Sequence, residues 1–268
     1  MSRKTLQKIT NDFYRQFSQL LKKVSADFDK DDIHQLRVNY KKFRAFTRLL
    51  FSNTQGYGFK FSKKIKLVYH TGGCIRDCQL QQDRIKKMSN LRNLPSGYVS
   101  FLKKSIHRFQ NKFAGINYKK AVAKNNKRLA ESLPPAISPE LFEFFFKQQW
   151  NLIQAIVNQQ SFTDEHLHSI RKYLKDIHYN QELYSGLFTK TANLVFPVKD
   201  IQQVKILLEL LGDHQDLRRA LDLLNARVLK RFGIDEQKKL ASIKLLLTAE
   251  KLELKKQVVD ILKKAFIT

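Results

Sequence analysis

Glycine and proline are scarce in this chain, with 9 and 5 among 268 residues. Sandwiches and barrels need a turn every few residues, so turn-dense β architectures are excluded and an all-α fold is expected. Acids are few as well: 24 Asp and Glu stand against 50 Lys and Arg, a formal net charge of +26. Long apolar runs are missing. The nearest candidate, Phe142 to Val157, is interrupted by Glu143, Lys147 and three glutamines. A membrane span takes roughly 18 uncharged apolar residues, so this segment reads as a core helix. Met1 to Thr5 lead into no apolar signal region, and a cytoplasmic location is expected. The two cysteines, Cys74 and Cys78, are too few for a disulfide framework. With His70 they form a His-x3-Cys-x3-Cys line, but zinc wants a further ligand and no metal is expected. A Gly-rich P-loop and an acidic cluster for Mg²⁺ are both missing, so neither an enzyme of phosphoryl transfer nor a cofactor is expected.

What is present is a short pattern that occurs twice. His34, Arg37, Lys41 and Arg44, with Arg48 beyond, return 134 residues later as His168, Arg171, Lys175 and His178. The offsets i, i+3, i+7 and i+10 fall within an arc of about 80° on a helix, one straight stripe. Apolar residues normally occupy such a seam. Like charges stacked a turn apart repel, so an anion is expected along it. Ile33, Leu36, Tyr40, Phe43, Phe46 and Leu50 border the first stripe on one side, and Val38, Ala45 and Leu49 on the other. A charged line with apolar borders is expected to face a groove. A solvated helix face is the simpler reading of one such stripe, and the second copy weakens it.

A second segment repeats too. Lys66 precedes Gly73 by seven residues and Asp77 follows by four; Lys205, Gly212 and Asp216 keep the same spacing. Each reads as a turn into a further helix, and each Asp as a salt-bridging or capping partner of the stripe's own arginine. The chain thus reads as two diverged halves, divided in the proline-rich stretch Leu133 to Pro139 into residues 1–137 and 138–268. Ser138-Pro139-Glu140, Asp31 to His34 and Thr163 to Glu165 read as helix starts, and Leu94 to Gly97 and Asn53 to Gly58 as turn and loop. His34 and His168 then lie near helix N-termini, where free backbone N–H groups favour anions. His70, His107, His166 and His214 read as ordinary surface or core residues.

These segments resemble the CHAD domain family, the conserved histidine α-helical domain. The resemblance rests on His34-Gln35-Leu36-Arg37-Val38 with its basic tail, Gly73 to Asp77, Leu167-His168 to Arg171-Lys172 with Lys175 and Tyr179, and Leu211 to Asp216. It implies two pseudo-symmetric helical bundles enclosing a basic groove, with inorganic polyphosphate as ligand and no catalysis by the domain itself. It also implies polyphosphate granules or a triphosphate-processing enzyme as associates. The residues so implicated are His34, Arg37, Lys41, Arg44, Arg48, Lys66, Arg76, His168, Arg171, Lys172, Lys175, His178 and Lys205. Gly72 departs from the usual Leu, Cys78 is unusual, and Glu182 stands where the second stripe would continue, so the second stripe is expected to be shorter.

The charge is lopsided. Residues 1–137 hold 30 Lys and Arg against 8 acids, whereas residues 138–268 hold 20 against 16. A polyanion should meet the first half more strongly, with Lys60, Lys63, Lys64 and the Lys119 to Arg128 run adding attraction. Nucleic-acid binding is the competing expectation for so basic a chain. Against it, single-strand binders interleave aromatic stacking platforms with cations, whereas both stripes are His, Lys and Arg only.

Overall fold

The computed structural model describes residues 1–53, 59–88, 94–187 and 201–266. Among them are ten helices: α1 (Arg3–Asp27), α2 (Lys30–Leu50), α3 (Lys63–Met88), α4 (Ser96–Ala114), α5 (Lys119–Ser132), α6 (Pro139–Asn158), α7 (Asp164–Leu187), α8 (Ile201–Asp222), the single turn α9 (Ala226–Leu229) and α10 (Ile234–Phe266). No strand occurs among the described residues; an isolated bridge joins Ser2 and Ala136. Of the expected loop Asn53 to Gly58, residues 54–58 lie outside the described part.

Helix starts follow local chemistry. Asp29 caps α2, accepting from the backbone N–H groups of Asp31 and Asp32, two residues ahead of the start read from the sequence. Thr163 Oγ1 accepts from His166 N at 3.1 Å, and Ser138 precedes Pro139 at the start of α6. Pro95 to Gly97 open helix α4 instead of forming a turn. The reason is distant in sequence: the Glu236 carboxylate on α10 accepts from Tyr98 N at 2.7 Å, capping a helix that has no side-chain cap of its own. A Cβ at Gly97 would lie 2.4 Å from Glu236 Oε2, so the glycine makes room for the cap.

The second pair of repeated segments departs further from expectation. Gly72 to Asp77 lie inside α3 and Leu211 to Asp216 inside α8. Neither is a turn, and the glycines have another use, described below.

Helix α1 packs on α2, α2 on α3 and α3 on α4; α6 packs on α7, α7 on α8 and α8 on α10. Across these chains of neighbours, α2 packs directly on α7 and α3 touches α8. The apolar interior follows the crossings. One cluster joins Leu6, Phe17, Phe43 and Phe46 to Phe142, Ile153, Ile170 and Ile177. The other joins Cys78, Ile85, Tyr98 and Leu102 to Leu217, Leu224, Leu240 and Leu247. Both clusters therefore cross the division at Ile137.

Candidate functional site

The site begins with Arg37. Its Nη1 donates to the Tyr69 carbonyl at 2.9 Å, and its guanidinium stands 4.6 Å from the Tyr69 ring centroid. A Cβ at Gly73 would come within 2.1 Å of that same Nη1. Gly73 is therefore the clearance that lets a guanidinium pack against a helix backbone. The second half repeats the meeting: the nearest atom to a Cβ built on Gly212 is Arg171 Nη2, at 3.7 Å. In each half the stripe arginine meets the glycine one turn before the repeated aspartate.

Around these arginines the two stripes come together. Lys41 is pushed down to about 7, chiefly by burial and then by the charges of Arg37, Arg171 and Lys175, against the pull of Asp216. Lys175 is pushed down to about 8, first by burial and then by Arg171, again opposed by Asp216. Burial also lowers His34, with Arg76, Lys41 and Lys175 adding to it. Residues from α2, α3 and α7 thus feel one another's charge at short range. Asp77, on α3, is held above the usual carboxylate range by burial, although Arg37 and Arg219 oppose that shift. Asp77 and Asp216 interact with this same group of cations. Arg76 joins from α3, its Nη1 donating to Lys30 O at 2.6 Å.

The remaining candidates occupy two flanks. On the first, Arg44, Thr47, Arg48, Lys60 and Lys66 line a cleft of about 530 Å³ floored by Tyr40, Phe59, Phe61 and Tyr69. Arg48 also forms an ion pair with Asp176 of α7, whose side chain is 3% exposed. Lys172 lies near both, lowered by burial and by Arg48. On the second flank His178 Nε2 lies 3.6 Å and Lys42 Nζ 2.9 Å from Glu182. Lys205 adds its charge to that corner, where burial lowers His178 against the pull of Glu182. His168 Nδ1 is 3.0 Å from Gln215 Oε1, and burial lowers its pKa.

The structure thus brings Arg37, Lys41, Arg76, Arg171 and Lys175 into one cluster with His34 at its rim. It sets Arg44, Arg48, Lys66 and Lys172 to one side and His178 with Lys205 to another, while His168 turns to Gln215. Lys42, Tyr69, Tyr179 and Asp176 were not among the sequence candidates. Lys42 and Lys175 lie 5.6 and 5.8 Å from the Tyr179 ring centroid. Only the charge of Lys42, beside the stripe, signalled its place. The buried Asp176 carried no local signal, because its partner is 128 residues away.

Other histidines fall where expected: His70 and His107 are exposed, His214 is buried, and His166 sits in the first turn of α7. Cys74 and Cys78 are free, Cys74 Sγ lying 3.7 Å from His70 Nε2. Among the described residues no helix is long and apolar enough to cross a membrane.

A family model, the CHAD domain, matches residues 9–225, and the chain belongs to that family. Two solved structures share the fold. The CHAD domain from the plant Ricinus communis aligns with a TM-score of 0.71 at 14% identity, covering 100% of this chain and 92% of its own. PptA from Streptomyces chartreusis aligns with a TM-score of 0.68 at 13% identity, covering 100% and 99%. No curated protein matches the sequence.

Proposed function

We propose that this chain binds inorganic polyphosphate in a basic groove bounded by α2, α3, α7 and α8. In this reading it acts as a non-catalytic scaffold or targeting module. The observation that carries the reading is the joint cluster of Arg37, Lys41, Arg171 and Lys175, two pairs 134 residues apart in sequence, in which burial and then the neighbouring cations lower Lys41, and burial and Arg171 lower Lys175. Such a cluster is unfavourable empty and is relieved by a chain of negative charge. Arginine forks onto phosphate oxygens, and lysine supplies a point charge that tolerates a repetitive ligand without fixed register. The repeated helix pairings support an internal duplication, with the groove between its two products. Family membership points to the same ligand.

Nucleic acid is the competitor. The rings beside the central cations are already engaged: Tyr69 with Arg37 and Tyr40, and Tyr179 with Lys42. They offer little free face for base stacking. The test is a competition at physiological salt between long-chain polyphosphate and single- and double-stranded nucleic acid. Polyphosphate should displace nucleic acid at far lower phosphate concentration; equal displacement would reject the assignment.

A further inference from the structure

Helix α5 carries cations that the central cluster does not use. Lys119, Lys120, Lys124, Lys127 and Arg128 are all exposed. None of the five makes an ion pair with a described carboxylate. The buried residues of α5 are Val122, Asn125 and Leu129. At about 100° per residue the five cations wrap the opposite side over an arc of about 180°. Five uncompensated charges on a helix of 14 residues repel one another, and nothing within the helix offsets them until Glu131.

Both edges of this arc meet clefts. At one edge the Arg128 guanidinium stands 5.8 Å from the Phe59 ring centroid, and Phe59 lines the cleft that holds Arg44, Arg48, Lys60 and Lys66. Ser62 N donates to Asn125 Oδ1 at 3.1 Å, which fixes α5 against the lip of that cleft. At the other edge Lys119 and Asn126 line a second cleft of about 500 Å³ between α1 and α5, which also presents Ser18, Lys22 and Arg15, the last paired with the Asp12 carboxylate of the same cleft at 2.9 Å. Asn126 Oδ1 and the Tyr14 hydroxyl there are buried without a hydrogen-bond partner. The α5 cations therefore lie between the Arg44–Arg48 cleft at one edge and the α1–α5 cleft at the other.

We propose that α5 and the α1–α5 cleft form a second polyphosphate-binding site, contiguous with the central one, that engages only chains long enough to leave the centre past Phe59. The inference rests on the assignment of polyphosphate to the central groove. Its consequence is selection by length. A short chain fills the groove alone, whereas a long chain gains the second site at the high effective concentration that tethering supplies.

The test compares short and long inorganic polyphosphate on the full chain, in fixed salt, for three proteins. One is wild type. The second is Lys120→Ala/Lys124→Ala/Lys127→Ala/Arg128→Ala, whose substitutions are exposed and favour helix. The third removes four exposed lysines elsewhere, at Lys238, Lys256, Lys263 and Lys264. Melting curves establish that all three are folded. The α5 variant should keep its short-chain affinity within about twofold and lose roughly tenfold or more for long chains. The α10 variant should lose far less. Equal losses in the α5 variant for both lengths, or equal long-chain losses in the α5 and α10 variants, would overturn the second site and leave the groove standing. Wild type that binds neither length would overturn both.

Discussion

Gly73 leaves open the volume that the Arg37 guanidinium occupies, so a side chain there would have to displace it. The contact that a Cβ would make, 2.1 Å to Nη1, is far below van der Waals distance. At Gly212 the corresponding distance is 3.7 Å, an ordinary contact. Alanine is the better helix former by about 0.5–1 kcal/mol. Gly212→Ala should therefore be neutral or stabilising and keep polyphosphate affinity, while Gly73→Ala should expel the guanidinium and weaken binding by roughly tenfold or more. Titration of both variants beside melting curves checks this; equal behaviour would contradict the clearance role. Lys41 supplies the second prediction. Its folded pKa, about 7, lies below the ordinary 10.5, so between those values the unfolded chain binds the extra proton. By linkage Lys41 makes the free protein more stable as pH rises from about 7 towards 10. Polyphosphate reverses the preference, since it favours charged Lys41 and Lys175. Binding near neutral pH should take up protons and tighten as pH falls from 9 to 6. Calorimetry in buffers of different ionisation enthalpy reads that uptake, and proton release would contradict it.

Among the helices, α2 and α7 are the pair that brings the two stripes together. They meet through Arg48 and Asp176, and through Asn180, whose Nδ2 donates to Ala45 O at 3.1 Å. Both α7 residues are buried, so Asn180→Ala should cost about 1–2 kcal/mol by removing a buried hydrogen bond between the two helices and leaving a small cavity. Asp176→Ala should cost a similar amount, less than a fully buried pair because the Arg48 side chain is 33% exposed. The two effects separate: losing Asp176 adds net positive charge, so stability should fall while polyphosphate affinity does not. Thermal melts and titrations on one preparation decide it. The helices themselves were legible, because apolar periodicity, Ser138-Pro139 and the Asp and Thr caps act within a few residues. The start of α4 was not, because Glu236 supplies its cap from 138 residues away. The glycines of α3 and α8 misled for a related reason. Glycine signals either a turn or a close approach, and only the arginine across the gap decides which.

At the scale of the molecule, the sequence division at Ile137 and the packing run crosswise. Helices of both halves share each apolar cluster, so neither cluster can be completed by one half alone. Periodicity shows which face of a helix is buried but not which helix buries it, and the crosswise partners were therefore invisible in the chain. The cationic cluster was legible as two stripes, since the stripe spacing is local and occurs twice. That the stripes face each other needed α2 on α7. Because binding is electrostatic and uses many contacts, log affinity should fall steeply and linearly with log salt, and a slope near zero would contradict it. Whether the two stripes make one site is decided by calorimetric titration with short-chain polyphosphate of wild type, of Arg37→Ala/Lys41→Ala and of Arg171→Ala/Lys175→Ala. One site per chain is expected in wild type, with affinity lost by orders of magnitude in either double variant. Two sites per chain, each abolished only by its own pair of substitutions, would contradict it.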